Sequence, residues 1–368
     1  MHFDTAPASG AIAYGLIALC RAGFENDLAG ELDALARRIG LDGHVRAREG
    51  SAFVVFYCNE AIGFEELAEH CDWRRLVFAR QLLPWFARVD DLPERDRATP
   101  LTQAARTAGQ RFGDIALETP DTDTAKQMSG FCRRFAEPFS AQLEKAGVLR
   151  SRGKTPRPCL HVLFSDARTA WLCAALPANE SPWPMGIPRL RMPHEAASRS
   201  TLKLAEAFFA LLTEEERNST LRAGLRAVDL GAAPGGWTWQ LAHRGLHVTA
   251  VDNGPMAPSV MATGMVEHLR ADGFTWRPRR TVDWLVCDMV EQPARIATLI
   301  ADWVASGRCR RAMFNLKLPM KKRLQAVEQC RNIIHKRLAS VGHYELRIKH
   351  LYHDREEVTA YLALRQSG

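Results

Sequence analysis

The sequence predicts an α/β protein in which the C-terminal half forms a doubly wound, mostly parallel sheet and the N-terminal half a smaller α+β arrangement. Three observations support this prediction. Strand and helix patterns alternate from residue 226 onward, shorter patterns of both kinds fill the first 175 residues, and five prolines lie between residues 177 and 193. Because proline lacks the N–H that helices and central strands require, we interpret this last stretch as a linker.

The N-terminal half contains two successive α+β patterns. The first is predicted to comprise a strand at 12–20, a helix at 25–39, a strand at 52–57, a helical stretch at 64–78, a strand at 81–89 and a loop at 90–100. The second is predicted to comprise a strand at 114–117, a helix from 123 to about 146 capped by Thr122 or Asp123, and strands at 159–164 and 169–175. Both patterns are typical of small α+β modules.

The C-terminal half alternates strands with helices, as a parallel sheet requires. We predict strands at 226–230, 247–252, 266–270, 284–289, 312–316, 344–351 and 358–364, with helices from 236, from 293 and at 324–338. The connection between the last two strands is too short for a parallel crossover, so the final strand should run antiparallel.

The stretch VDLGAAPGGWTWQLA, residues 227–241, is predicted to be the turn between the first strand and helix of this sheet. Small residues there let a ligand approach the backbone closely, and the helix N-terminus offers free N–H groups. The turn is neither G-x-G-x-x-G nor G-K-[ST], which argues against a dinucleotide or a nucleoside triphosphate. Asp252 ends the next strand, 21 residues after Gly231, where a carboxylate would accept hydrogen bonds from ribose hydroxyls.

These motifs, with ADGF at 271–274 and CDM at 287–289, resemble the S-adenosylmethionine pocket of the Rossmann-like methyltransferases. Lys203 in SRSTLKLAEAF, Asp288, Lys317 in FNLKLP and Glu357 in DREEVTAYL are similar to the Lys-Asp-Lys-Glu tetrad of the ribose 2'-O-methyltransferases. With the start CRAGFENDLAGEL, the whole chain resembles the bacterial enzymes that methylate one cytidine ribose in the peptidyl-transferase centre of 23S rRNA.

The resemblance implies a domain order and a cofactor site. The implied domains are a ferredoxin-like α+β domain at 1–72, a THUMP-like RNA-binding domain at 73–178, a linker at 179–193 and a Rossmann-like methyltransferase domain with a seven-stranded sheet at 194–368. The residues implied to bind S-adenosylmethionine are Ser200, Gly231, Ala233, Pro234, Gly235, Gly236, Asp252, Asp272 and Asp288. Asp272 would accept from the adenine amino group, and Asp288 would lie near the sulfonium.

A ribose 2'-OH is a poor nucleophile, so its methylation requires a positioned general base. We expect Lys317 to be that base, its pKa lowered by burial, by the neighbouring lysine and by the cationic sulfonium. Lys203 and Asp288 would hold the reacting groups, and Glu357 would orient one of the lysines. Glu356 or His353 could replace Glu357 as the fourth member.

Other cofactor and acceptor chemistries fit the sequence less well. Cys287 could be the nucleophile of a cytosine-C5 methyltransferase, but no proline precedes it and we interpret it as a buried strand residue. An amino-methylating enzyme would carry an Asn/Asp-Pro-Pro-aromatic turn where this chain has DMVEQ. A catalytically silent RNA-binding or assembly protein would have lost a tetrad lysine, and both lysines are present.

Composition favours an acidic partner, which by the resemblance would be 23S rRNA. The formal net charge is +7, and only nine of the 49 basic residues are lysines, so a lysine in a pocket marks a site where proton loss matters. Candidate RNA contacts are the loop LRSRGKTPRP with Arg150, Arg152, Lys154 and Arg157, the segment MKKR at 320–323, the cluster Arg277, Arg279 and Arg280, and Trp237 and Trp239, although packing is the favoured interpretation of the two tryptophans.

The nine cysteines form no C-x-x-C pair, so we expect neither a disulfide framework nor a metal site. No apolar run is long enough for a membrane span, and the segment at 11–20 lacks the flanks of a signal peptide. We therefore expect a cytoplasmic monomer with no obligate protein partner.

Overall fold

The computed structural model of the chain describes residues 11–150 and 157–365. The chain divides into two compact units, Met1–Ile187 and Pro188–Gly368, with the boundary inside the predicted linker. In the predicted basic loop, Arg152 and Lys154 lie outside the described residues. Each helix in the described ranges is too short or too polar to cross a membrane.

The N-terminal unit is built on one seven-stranded sheet with strand order β2-β3-β1-β4-β7-β6-β5. Its elements are β1 (Ile12–Leu19), α1 (Glu25–Arg38), β2 (Gly43–Ala47), β3 (Phe53–Gly63), α2 (Phe64–Ala68), β4 (Gln81–Val89), α3 (Ala98–Arg106), β5 (Asp114–Glu118), α4 (Asp123–Lys126), α5 (Ser129–Lys145), β6 (Cys159–Phe164) and β7 (Ala170–Ala175). Neighbouring strands are antiparallel except for the parallel pair β5 and β6.

The first six elements follow the βαββαβ order of a ferredoxin-like unit, and their strands lie in the spatial order β4-β1-β3-β2. The fourth strand of this order is β4, which ends at Val89. Because β4 also pairs with β7, the second pattern continues the same sheet. The domain bounds and the THUMP-like character of the second pattern stay predictions.

Local predictions in this unit differ from the structure at four places. The helical stretch predicted at 64–78 ends at Ala68, and further along it the backbone N–H groups of Val77 and Phe78 donate to the carboxylate of Glu31 at 2.6 and 2.8 Å. The single helix predicted from 123 to about 146 is two helices, α4 and α5. Helix α3 begins inside the predicted loop, since Pro100 occupies the first turn, where no N–H donor is needed. Strand β2 is an edge strand without a buried face, which left no apolar alternation to predict it.

The C-terminal unit confirms the predicted fold class, with a seven-stranded sheet in the order β10-β9-β8-β11-β12-β14-β13. Its elements are α6 (Ser200–Leu211), α7 (Glu214–Thr220), β8 (Arg226–Leu230), α8 (Gly236–Ala242), β9 (His247–Val251), α9 (Pro258–Met261), β10 (Val266–Leu269), β11 (Val282–Cys287), α10 (Pro293–Ala305), β12 (Cys309–Lys317), α11 (Arg323–Leu338), β13 (Tyr344–Lys349) and β14 (Glu357–Leu364). Strands β8 to β12 are parallel.

The last strand runs antiparallel, as predicted, and lies between β12 and β13. Its first residue is therefore at the same edge of the sheet as the last residues of the parallel strands. The core beneath this edge is apolar and includes the fully buried Trp284 of β11 and Phe314 of β12. Residues that end or directly follow the central strands are therefore positioned by this buried core at the carboxyl edge.

Candidate active site

Four charged side chains from four elements meet at the carboxyl edge of the C-terminal sheet. They are Lys203 on α6, Asp288 just after β11, Lys317 at the end of β12 and Glu357 at the start of β14. The Lys203 ammonium hydrogen-bonds the Glu357 carboxylate and lies 3.9 Å from Asp288 Oδ2. The Lys317 ammonium lies 3.2 Å from Glu357 Oε2 and 3.8 Å from Asp288 Oδ1. Each lysine therefore contacts both carboxylates.

Strand register sets part of this arrangement. In the antiparallel pair β12 and β14, Lys317 is the direct partner of Glu357. The alternative fourth members are engaged elsewhere: Glu356 pairs with Arg323 at 3.0 Å, and His353 Nδ1 lies 2.6 Å from Glu206 Oε2.

The electrostatics of the site favour an ionised Glu357 and a charged Lys203. Burial of Lys203 disfavours its ammonium form, but the charge of Asp288 and the hydrogen bond to Glu357 outweigh burial and raise the pKa of Lys203. Burial likewise opposes the Glu357 carboxylate, but the hydrogen bonds and charges of the two lysines outweigh it and lower the pKa of Glu357.

A chain of buried polar residues supports Asp288 from behind. Asn315 Nδ2 donates to Asp288 Oδ1 at 2.6 Å, and the Thr359 hydroxyl donates to Asn315 Oδ1 at 2.7 Å. Thr359 Oγ1 also lies 3.1 Å from Asp354 Oδ2, and burial raises the pKa of Asp354 well above its ordinary value. A protonated Asp354 would donate to the Thr359 hydroxyl. Each donor in this series of hydrogen bonds would then face toward Asp288. Sequence reasoning missed Asn315, Thr359 and Asp354.

The turn after β8 has the close packing that its small residues predict. Gly235 precedes α8 with φ +113°, a conformation that favours glycine. A Cβ at Gly236 would lie 2.1 Å from the Ser200 hydroxyl oxygen, so the first turns of α6 and α8 meet only because residue 236 has no side chain. The Thr201 hydroxyl donates to the Gly236 carbonyl at 3.0 Å across this contact. Ala233 and Pro234 are joined by a cis peptide bond.

Three aspartates surround this turn. Asp252, after β9, accepts from the backbone N–H groups of Ala233 at 3.0 Å and Gly254 at 2.7 Å. Asp272, after β10, accepts from the N–H of Phe274 at 2.8 Å. Asp229, inside β8, is 1% exposed and accepts the Thr238 hydroxyl at one oxygen, while its second oxygen has no hydrogen-bond partner among the described residues.

This donor and acceptor set fits S-adenosylmethionine. A carboxylate offers about four acceptor positions, so the two N–H groups on Asp252 leave capacity for ribose hydroxyls. Asp288 adds negative charge near a positively charged ligand, and the glycines leave room for its approach. The predicted cofactor residues thus lie at the strand ends and helix starts of one sheet edge.

Two groups of candidate RNA contacts are not at the tetrad edge as exposed side chains. Trp237 and Trp239 are 2% and 8% exposed, which agrees with the favoured interpretation that they are packing residues. Arg277, Arg279 and Arg280 lie shortly before β11 and therefore toward the amino edge of the parallel strands, away from the tetrad. Segment 320–323, by contrast, follows β12 at the tetrad edge.

Cys287 is fully buried within β11, and burial raises the pKa of its thiol to about 12. A thiolate nucleophile is disfavoured at such a position.

One group of potential metal ligands occurs in the described part of the chain, in the N-terminal unit: Cys159, His161 and Glu180. His161 Nδ1 lies 2.9 Å from Glu118, and Nε2 lies 3.2 Å from Glu180. Burial opposes the imidazolium form, but the charge of Glu118 and hydrogen bonds to its neighbours outweigh burial and raise the pKa of His161 well above its ordinary value. In its protonated form His161 pairs with these two carboxylates, and an imidazolium does not bind a metal.

The sheet order, the glycine-rich turn and the tetrad together define a methyltransferase of the Rossmann-like class. Residues 196–335 match the family model described as FtsJ-like methyltransferase. Residues 14–83 match the RlmM ferredoxin-like domain, and residues 96–176 match the N-terminal model of ribosomal RNA large subunit methyltransferase M. The chain belongs to the family of ribosomal RNA large subunit methyltransferase M.

The relatives cover nearly the whole chain. The methyltransferase M of Aromatoleum aromaticum is 72% identical over 98% of this chain and 97% of its own length. The proteins of Thauera aminoaromatica and Xanthomonas euvesicatoria are 66% and 48% identical over 98% and 96% of this chain, each matched over 99% of its own length. Among solved structures, TrmN from Thermus thermophilus is 16% identical, covers 95% of this chain and 99% of its own, and has a TM-score of 0.36, too low to carry an argument.

These findings confirm the expectations of a methyltransferase from an rRNA-modifying family. FtsJ-like methyltransferases use S-adenosylmethionine, so the predicted cofactor is confirmed as well.

Proposed function

We propose that this chain methylates the ribose 2'-OH of a cytidine in the peptidyl-transferase centre of 23S rRNA, acting as a monomer in the cytoplasm. The meeting of Lys203, Asp288, Lys317 and Glu357 at one sheet edge is the observation that carries the proposal. The reaction requires removal of a hydroxyl proton beside a positively charged methyl donor, and a lysine whose ammonium form that positive charge disfavours suits the task. The cytidine and its location come from the resemblance to the ribose methyltransferases.

We assign the general base to Lys317. Lys203 is held more tightly, because it hydrogen-bonds Glu357 and is 16% exposed, whereas Lys317 is 27% exposed and 3.2 Å from its nearest carboxylate oxygen. Lys203 would therefore remain an ammonium and hold the hydroxyl oxygen and Asp288. Glu357 would orient both lysines. The Nζ atom of Lys317 would take the 2'-OH proton as the 2'-oxygen attacks the methyl group.

S-adenosylmethionine, when bound, supplies an electrophilic methyl group on a positively charged sulfur. A positive charge at this edge favours the neutral form of a nearby lysine. The side chain of Asp252 would accept the ribose hydroxyls of the cofactor and Asp272 its adenine amino group. The backbone of the glycine-rich turn, from Gly231 to Gly236, would accommodate the rest of the cofactor, and Ser200 lies beside this turn.

The N-terminal unit would supply RNA affinity while the C-terminal unit supplies the chemistry. Support comes from the basic loop at 150–157 and from the separate compact units, one of which contains the whole tetrad. Arg150 and Arg157, which flank the undescribed part of the basic loop, belong to the N-terminal unit. We retain the THUMP-like interpretation of residues 73–178 as part of this proposal.

The test is ribose-methylation mapping of 23S rRNA by mass spectrometry in cells lacking the protein and in cells complemented with variants. Wild type should restore one 2'-O-methylcytidine in the peptidyl-transferase centre. Lys317→Arg keeps the charge but cannot accept a proton, so purified enzyme should retain cofactor binding and lose roughly 10²–10⁴-fold in single-turnover rate. Lys336→Arg, at an exposed position in the last turn of α11, is the matched control.

Each outcome has a distinct meaning. A methyl group on a base, or on another nucleotide, would refute the proposed acceptor while leaving the methyltransferase class intact. Unchanged methylation in cells lacking the protein would favour the alternative of a silent RNA-binding protein. A normal rate for Lys317→Arg, with an unchanged pH profile, would return the base to Asp288 or a bound water.

A further inference from the structure

Two apolar side chains in the C-terminal unit are far more exposed than any others. Val290 is 87% exposed and Met320 is 80% exposed. Every other large apolar side chain in the described ranges is at most 42% exposed. Burying an apolar side chain of this size is favourable, so such exposure stands out when it is concentrated at one place.

Both side chains lie beside the tetrad. Val290 comes two residues after Asp288, and Met320 comes three residues after Lys317. The strands that precede them, β11 and β12, are parallel neighbours, with Cys287 paired to Phe314 near their ends. Val290 and Met320 therefore leave the same carboxyl edge on adjacent strands. We call these two residues the apolar rim.

Positive charge adjoins the apolar rim. Lys321 and Lys322 directly follow Met320 and are exposed, whereas the next residue, Arg323, pairs with Glu356. An apolar surface next to exposed ammonium groups suits a nucleotide, because a base has an apolar face and its phosphates are anionic. It suits an apolar protein segment less well, since the lysines would have to be desolvated.

The depth of the tetrad explains why such a surface is needed. Its side chains are only 6–27% exposed, so a ribose hydroxyl must enter a recess to reach them. A nucleotide that enters a recess gives up stacking with its neighbours in the RNA, at a cost of a few kcal/mol. Apolar contacts at the mouth of the recess would offset part of that loss.

We propose that the apolar rim binds the base and sugar of the unstacked target nucleotide, and that Lys321 and Lys322 contact the adjoining phosphates. This inference rests on the proposed function, since it assigns a substrate contact to the same site. In this inference the apolar rim and the two lysines position the acceptor nucleotide, whereas the tetrad removes its proton.

The test uses the full-length protein with Val290→Thr and Met320→Gln, singly and together. Both changes keep side-chain size and remove apolar character at exposed positions, so folding should be unaffected. Val341→Thr is the matched control, because Val341 is 39% exposed and lies between α11 and β13 at the opposite edge of the sheet.

The first readout is single-turnover methylation of a 23S rRNA fragment at saturating S-adenosylmethionine. We expect the double variant to lose roughly tenfold or more in kcat/KM, which corresponds to about 1.4 kcal/mol, with kcat falling as well because the hydroxyl is misplaced. Cofactor affinity, measured by calorimetry, should match that of Val341→Thr. A double variant with wild-type kcat/KM would overturn the inference and leave the proposed function intact.

The second readout does not depend on catalysis. Fluorescence of 2-aminopurine beside the target nucleotide reports unstacking when the S-adenosylhomocysteine-bound protein binds the same fragment. We expect the wild-type rise in fluorescence to be lost in the double variant, and an equal rise in both proteins would overturn the inference. Lys321→Gln and Lys322→Gln should each lower the slope of log affinity against log salt by about one, and an unchanged slope would remove the phosphate contact.

Discussion

Asp229 offers a test of the cofactor edge that requires neither RNA nor cofactor. This aspartate lies inside β8, 1% exposed, between the two strand ends that carry Asp252 and Asp288. Burial raises its pKa from 3.8 to about 7, against the hydrogen bond from Thr238 and with a further contribution from the charges of Asp288 and Asp252. Asp229→Asn removes the titration and keeps an oxygen that accepts from Thr238.

The difference between the pKa values of Asp229 in the folded and unfolded states gives the size of its effect on the free energy of unfolding. A pKa that rises from 3.8 to about 7 means that folding favours the protonated over the ionised form by about 4 kcal/mol. The folded state holds the proton more tightly, so the stabilisation is fully present below about pH 4 and is lost as the pH rises through about 7. The asparagine variant has no such loss. The free energy of unfolding of wild type, relative to Asp229→Asn, should therefore fall by roughly 3 kcal/mol from about pH 5 to about pH 8.

The assay is urea denaturation of the full chain without cofactor, followed by tryptophan fluorescence across this pH range. Two compact units can give two transitions, and only the transition of the C-terminal unit should differ between the proteins. Two further variants should shift the pKa of Asp229 in the folded protein, and with it the pH at which stability is lost, in opposite directions. Thr238→Val removes the hydrogen bond that favours the carboxylate and should raise this pKa, whereas Asp288→Asn removes a negative charge and should lower it.

The reasoning would be refuted if the free energies of unfolding of wild type and Asp229→Asn differed by the same amount at about pH 5 and at about pH 8. It would mean that Asp229 is ionised in the folded protein throughout this range, with its second oxygen hydrated or otherwise bonded. Burial and the charges of Asp288 and Asp252 would then not outweigh the hydrogen bonds that favour the ionised carboxylate.

Three further predictions concern single positions. Asp252→Ala should sharply weaken S-adenosylmethionine binding in calorimetric titration while leaving the fold intact, and equal affinity would remove Asp252 from the site. Cys287→Ala should keep the single-turnover rate at saturating cofactor, whereas loss of activity in a folded variant would revive a thiol mechanism. Asn315→Leu should cost about 1–3 kcal/mol in urea denaturation, because it leaves Asp288 and the Thr359 hydroxyl without their buried partner. It should also lower kcat more than it raises KM, and a change in KM alone would argue against a positioning role.

The C-terminal fold and most of the site could be predicted because they depend on local patterns. Alternating strands and helices specify a parallel sheet, and such a sheet collects the residues after its strands at one edge. Asp252 and Asp288 follow strands directly, and Lys317 ends one, so their approach follows from topology alone. In the N-terminal unit, β2 has no buried face and α3 starts near a proline. Local patterns therefore gave no signal for these two elements.

The choice of Glu357 over Glu356 shows where local patterns end. Side chains alternate between the two faces of a strand, so a shift of one residue in the pairing of β12 with β14 would exchange the faces. The observed register pairs Lys317 with Glu357 and Asn315 with Thr359, two residues apart on each strand, so both pairs lie on the same face. One register thus sets the catalytic ion contact and the hydrogen-bond chain behind Asp288 together. Sequence spacing cannot give it, because it depends on how all the side chains of β14 pack between β12 and β13.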